Sequence, residues 1–383
     1  MKNFIKTKKN KKHKKHRKTV KIKSTPILIR SSTPYHEAKI GDLINKQKSF
    51  SPVINKKLVP KTQNFYKSNL LKCIRFKNIN EKLPKISVNN KCLPYFDNLS
   101  QKALLHNLAL SYEFIKWKDV RAPVQKQANC WFNTMFMNFF VSDKGRKFFK
   151  FFRQLMIEGK QSNNKDIKPP ELRNIFAYLN LAIEASLLGD DLVLTLDTNE
   201  FISKIYKTIP SNYKHMGIVK SGKANNPLFF YSGLINYLNN KDIQLLVINL
   251  NETNSIFKRF YTFPDVLVIE INDYEDDNLS KKTDNKKLIL ELSNYMDKKA
   301  KYKLDSVIIR DTQKIHFCSL LTINNKDFGF DGVSFRRLTP FKWRHLINKN
   351  KKWTFEGSLW DNSTESITWN FRNGYQLLFY YRI

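Results

Sequence analysis

Apolar positions follow two different rhythms along this chain. From about residue 96 they recur at helical spacing. The segment NLSQKALLHNLALSYEFIKW, residues 98–117, predicts a helix with Ser100 as its cap. Apolar residues at 131, 132, 135, 136, 139 and 140 form one broad face and predict a helix opening at Cys130. SDKG at 142–145 interrupts that pattern, and RKFFKFFRQLMIEG resumes it. PPELRNIFAYLNLAIEASLLG, residues 169–189, predicts a further helix with proline at its start. Further on the period changes. QLLVINL, DVLVIEI, KKLILEL, DSVIIRD, HFCSLLTI, KDFGFDG and YQLLFYYRI are short β-branched or aromatic runs bounded by Asn, Asp and Gly, and read as strands. Helices first and strands later describe an α+β domain, a helical lobe packed on a mainly antiparallel sheet.

Charge divides the chain. The net +35 is concentrated in residues 1–95, which hold 26 Lys/Arg against 3 Asp/Glu, a net +23. Residues 1–24 contain 12 Lys/Arg and no acid, so they are expected to be disordered and suited to non-specific nucleic-acid contact or nuclear import. The expected organisation is a basic, largely disordered or extended segment over 1–95 and a globular domain over 96–383. The N-terminal apolar run PILI is too brief for a signal-peptide core, and no run reaches a membrane span of roughly 18 apolar residues. A soluble protein with no membrane partner is expected. The four cysteines, Cys73, Cys92, Cys130 and Cys318, have no C-x-x-C spacing. Neither a metal site nor a cofactor is indicated, and reduced thiols in an intracellular setting are the expectation.

Cys130 stands where a proline-containing loop ends and a helix begins. Unpaired N–H groups and the helix dipole favour a thiolate there, although a cysteine beside aromatic residues is also ordinary core material. His316 begins a predicted strand and Asp331 closes the next. A turn at Asn324–Asn325 would bring the two side by side, as a base and its orienting acid require. Taken singly, His316 also reads as a structural histidine and Asp331 as a turn residue before Gly332.

Together these residues resemble the papain-like ubiquitin-specific proteases, particularly compact forms encoded by large DNA viruses. NCWFN at 129–133 is similar to the family's cysteine box, IHF at 315–317 and FGFDG at 328–332 to its histidine and aspartate strands, and NGYQLLFYYR at 373–382 to its closing tyrosine-rich strand. The resemblance spans residues 125–383 and implies a papain-like fold in which the helical lobe carries Cys130 and the sheet carries His316 and Asp331. It implies a thiol-dependent deubiquitinase acting on ubiquitin or a ubiquitin-like modifier, without cofactor. Gln125 then matches the oxyanion-hole donor, with Gln127 as the alternative. Ile315 stands where the family has glycine, Phe317 where it has tyrosine, and the cysteine pairs of its zinc fingers are absent. Arrangements in which histidine precedes cysteine, or with an Asp-Gly-Asn-Cys box, fit less well.

The family lines its channel with acids for the basic ubiquitin tail. Asp273, Glu275, Asp276 and Asp277 are candidates for that contact, as are the acids at 190, 191, 197 and 200, though DYEDD also reads as a solvated loop. A second function class is a protease-fold protein without activity, acting as a basic nucleic-acid-associated or virion structural protein.

Overall fold

The computed structural model describes residues 27–29, 70–74, 76, 79, 82–113, 115–214, 217–238, 245–250, 257–258, 263–271, 286–313, 315–334, 338–359 and 364–383. The elements in chain order begin with β1 (Ile27–Ile29), β2 (Lys85–Val88) and β3 (Lys91–Pro94). Helices follow: α1 (Asn98–Glu113), α2 (Cys130–Phe140), α3 (Asp143–Phe148), α4 (Lys150–Glu158), α5 (Pro170–Leu188), α6 (Thr198–Thr208), α7 (Ser211–Lys214) and α8 (Pro227–Tyr237). The remaining strands are β4 (Leu245–Asn249), β5 (Val266–Ile271), β6 (Ile289–Ser293), β7 (Lys299–Arg310), β8 (Phe317–Ile323), β9 (Lys326–Phe330), β10 (Thr339–Pro340), β11 (Lys352–Phe355), β12 (Trp369–Asn370) and β13 (Gln376–Arg382).

Seven of these strands run β10-β9-β8-β7-β13-β5-β4 across one eight-stranded sheet, with β6 paired to β7 off that path. Every pairing in it is antiparallel except β4 with β5. The chain is therefore mixed α and β around a mainly antiparallel sheet. Period-2 alternation assigns successive side chains to opposite faces. On β13, Leu377, Phe379 and Tyr381 face the helices, while Leu378 and Tyr380 face a second core. That second core holds Trp343, Trp353 and Trp369 beneath the sheet.

All eleven residues of α2 are buried. Trp131 and Phe132 pack on Phe230 and Tyr231 of α8, and Phe139 meets Phe379 of β13 with ring centroids 6.0 Å apart. Each fully buried large apolar side chain of this kind contributes about 1.5–3 kcal/mol, so α2 is anchored far beyond its own helix propensity. The interruption at SDKG is a helix start. Ser142 Oγ accepts from the Gly145 N–H at 3.1 Å and opens α3.

Three expectations are corrected. Ser100 lies inside α1 and is buried. The Leu99 N–H is met instead by Asp97 Oδ1 at 2.8 Å. The folded body also reaches further back than residue 96. Leu70, Leu71, Ile74, Phe76, Ile79, Ile86 and Val88 are buried in the helical core, while Lys72, Lys82 and Lys85 between them are exposed. Finally, Cys73 and Cys92 are joined as a disulfide, which ties this segment to the β2–β3 hairpin. The lysine arm at 1–24 lies outside the described residues. No helix among the described residues is long and apolar enough to cross a membrane.

Candidate active site

The β8–β9 hairpin turns through Asn324 and Asn325, both at positive φ (50° and 57°), the geometry a two-residue hairpin asks of its loop. Asp143 at the start of α3 clamps this turn, accepting from the Asn324 and Asn325 N–H groups at 3.0 Å each. At the far end of the hairpin, His316 immediately precedes β8 and Asp331 immediately follows β9. His316 Nε2 and Asp331 Oδ1 are 2.6 Å apart, and both residues are buried.

Further groups hold each of them. Asp311 Oδ1 accepts from the Ile315 N–H at 2.8 Å and the His316 N–H at 2.5 Å, shaping the loop that presents the imidazole. Asp331 accepts from the Val333 N–H at 3.2 Å, the Ser334 hydroxyl at 3.4 Å and the Ser358 hydroxyl. The sequence reading did not find Asp311 or Ser358. Asp311 looked like a strand end, and Ser358 lies 27 residues from its partner with no local pattern to mark it.

α2 carries Cys130 as its first residue, 7% exposed. The helix is oriented by its packing on β8, where the Ser319 hydroxyl donates to Asn138 Oδ1. The loop before Cys130 is pinned by a side-chain relay. Asn129 Oδ1 accepts from the Lys126 N–H at 3.0 Å and Asn129 Nδ2 donates to Thr198 Oγ1 at 2.8 Å. Thr198 in turn donates to Asn133 Oδ1 at 2.8 Å. A backbone bond then joins this loop to the acid: the Gln125 N–H donates to the Gly332 carbonyl at 3.1 Å. A Cβ on Gly332 would stand 3.1 Å from Gln125 Cβ, so glycine permits the approach.

The electrostatics follow from this geometry. Burial disfavours a charged imidazole, but attraction to Asp331, the hydrogen bond to it and a hydrogen bond with the Cys130 thiol outweigh burial and push His316 up to about 10. Burial works against the Asp331 carboxylate too, yet His316, Ser358 and the Val333 N–H hold it below its ordinary value. The other free thiol, Cys318, is pushed well up by burial and by the charges of Asp331 and Asp311, so it stays a protonated core group.

Two expected donors separate here. Gln125 Nε2 lies 3.5 Å from His316 Nδ1 and donates to the Gln127 carbonyl at 3.4 Å. Gln125 Oε1 is buried with no partner among the described residues. Gln127 is exposed at φ 54° and contributes its backbone carbonyl. Beside Ile315 and Phe317 opens a cavity of about 440 Å³, lined also by Asn226, Phe229, Arg310 and Tyr375.

Among the acids considered for substrate contact, Asp190 and Asp197 cap local turns through the Leu192 and Asn199 N–H groups, and Asp191 pairs with Arg121 at 3.0 Å. Asp273, Glu275, Asp276 and Asp277 lie outside the described residues. No group of three or more His, Cys, Asp or Glu among the described residues could hold a metal ion.

The geometry supplies a thiol, an imidazole whose Nε2 is committed to a buried carboxylate, and amide groups beside the thiol. Such a set can transfer a proton and attack a carbonyl. No protein-family model and no curated protein matches the chain. Solved structures do show similarity to it. The SAGA DUB module Ubp8/Sgf11/Sus1/Sgf73 bound to monoubiquitin contains a chain 11% identical, with 75% of this chain and 76% of that chain covered at a TM-score of 0.42. The same module bound to ubiquitin aldehyde gives 11% identity over 70% and 71% of the two chains, also at 0.42. A yeast SAGA DUB module gives 11% identity over 70% of each chain, at 0.34.

Proposed function

We propose that the protein is a thiol-dependent isopeptidase that hydrolyses the bond after the C-terminal glycine of ubiquitin or a ubiquitin-like modifier. The observation that carries this reading is the convergence of Cys130, at the first turn of a buried helix, on an imidazole held by Asp331 at 2.6 Å. Cys130 Sγ attacks the carbonyl carbon while His316 holds the thiol proton. The carbonyl π electrons move to oxygen, and the Cys130 N–H and the Gln125 amide are the nearby donors for that oxyanion. The tetrahedral species collapses as His316 gives its proton to the leaving lysine amine, and a thioester remains. Water, deprotonated by His316, then cleaves the thioester and restores the thiol. Asp331 acts through His316, fixing the ring with Nδ1 toward the thiol and stabilising its charged form.

A ubiquitin carrying a C-terminal electrophile tests the reading. Wild-type protein is expected to form a covalent adduct at Cys130, and Cys130→Ala none. Folded wild-type protein that stays unlabelled, or labels at Cys318, would overturn it. The net +23 over residues 1–95 supports an accompanying role, non-specific nucleic-acid contact through residues 1–24 that localises the enzyme.

A further inference from the structure

Helix α8 has a cavity at each end. Its N-terminal residues Asn226 and Phe229 line the one beside His316. Its last residue, Tyr237, lines another of about 590 Å³, roughly 15 Å away along the helix by its rise per residue. Lys160, Lys165, Lys168 and Tyr213 also line this second cavity, with Asp166 as its single acid.

The wall is built rather than incidental. The loop carrying Lys160 and Lys165 is closed by an antiparallel backbone β-bridge between Lys160 and Asp166 and by the Gln161 N–H donating to the Lys165 carbonyl at 2.8 Å. The same loop is fastened to the end of α8, where Gln161 Nε2 donates to the Tyr237 carbonyl at 2.7 Å and the Ser162 N–H to the Leu238 carbonyl at 3.0 Å. Tyr237 is buried. Its hydroxyl accepts from the Lys168 N–H at 3.0 Å and donates to the Lys168 carbonyl at 2.8 Å, fixing the backbone from which that ammonium projects. Tyr213 packs edge-on against Tyr237 at 5.1 Å and remains partly exposed, leaving part of its ring to the cavity. Among the described residues no ion pair engages Lys165 or Lys168.

We infer that this cavity binds a nucleotide unit, with its phosphate among Lys160, Lys165 and Lys168 and its base against Tyr213. Each half of the wall suits one half of such a ligand. Ammonium groups exchange counterions for phosphate, whereas a tyrosine ring accepts any base because every base has a π-face. The volume lies within the range of pockets that enclose small ligands. An acidic peptide would satisfy the lysines but leave the ring unused. The site is separate from the thiol, so it stands or falls independently of the isopeptidase reading.

The test uses the full chain, titrated with AMP, an eight-nucleotide single-stranded DNA, inorganic phosphate and a hexaglutamate peptide at low salt. A Lys165→Ala/Lys168→Ala double variant and Tyr213→Ala are compared with wild type. Expected is saturable AMP binding, at least tenfold tighter than phosphate, that weakens about tenfold or more in both variants and returns in Tyr213→Phe. Loss of oligonucleotide affinity in the cavity variants with no AMP binding assigns the unit to a nucleic-acid strand; loss of both assigns it to a free nucleotide as well. Phosphate or hexaglutamate binding as tightly as the nucleotide ligand that binds, no binding of either AMP or the oligonucleotide, or affinities unchanged in the variants would overturn the proposal. Unaltered Cys130 labelling and thermal unfolding in the variants show that the fold and the thiol site are intact.

Discussion

His316 is held from two directions, and each does different work. Asp311 fixes its backbone through two N–H bonds, while Asp331 fixes its ring through Nε2. Against burial, the pairing with Asp331, helped by the Cys130 thiol, moves the loss of the imidazole proton from near 6.5 up to about 10. A raised pKa in the folded state means the stability from this pair is complete below pH 6.5 and disappears as pH rises through 10. Under the proposed mechanism the same sign applies, since expulsion of the lysine amine would need a protonated imidazole. In Asp331→Asn the attraction is gone, so the alkaline limb of isopeptide hydrolysis is expected to fall from near pH 10 toward 6.5. The maximal rate is expected to drop by about 10² to 10⁴. Alkylation of Cys130 by iodoacetamide needs no leaving-group proton and should lack that limb in both proteins. A pH–rate profile unchanged by the substitution would count against Asp331 as the orienting group. Cys130, His316 and Asp331 were each ambiguous alone in the sequence. Their order and spacing around a turn made the pair legible, because hairpin geometry is local. Gln125 could be separated from Gln127 only in three dimensions, where one amide turns inward and the other is exposed.

At the scale of elements, the β8–β9 hairpin is held at its turn. Asp143 grips the Asn324–Asn325 end and the His316–Asp331 pair sits at the other. Removing the carboxylate in Asp143→Ala loses two charge-assisted bonds, expected to cost about 2 kcal/mol. Faster amide exchange across β8–β9 and a fall in hydrolysis rate should follow, although the substitution is remote from the thiol; unchanged exchange would refute the clamp. Seven strands could be read from sequence because β-branched and aromatic runs end in Asn, Asp or Gly. Other elements gave weaker signals. α8, PLFFYSGLINY, is apolar on most of its circumference, so its period is blurred. β12 has only two residues, and its place is set by Trp369 in the lower core.

For the whole molecule, charge was a poor guide to where folding begins. Residues 70–94 carry exposed lysines on one side and a buried apolar stripe on the other, and averaging over 95 residues hid the stripe. The Cys73–Cys92 bond was hidden for the same reason, since a separation of 19 in a lysine-rich stretch has no recognisable spacing. Closing a loop of that size stabilises by about 3 kcal/mol through the unfolded chain. Dithiothreitol, or Cys73→Ser with Cys92→Ser, is therefore expected to lower the midpoint of thermal unfolding by several degrees, and a midpoint insensitive to both would contradict the bond. Glu200 on α6 accepts from the Ile79 N–H, and its neighbours Thr198 and Asn199 hold Asn129 and Lys126. The stapled segment thus reaches the loop that precedes the thiol.

Strand β13 lies between β7 and β5, and α2 rests on its Phe379. Residues 376–382 follow every other strand of the sheet in sequence, and among the described residues nothing else bridges its two halves. A polypeptide still growing on the ribosome, short of those residues, has β7 and β5 with open edges and no finished floor beneath the thiol helix. A chain that stops short of residue 376 is therefore expected to lack the central strand on which the Cys130 helix rests.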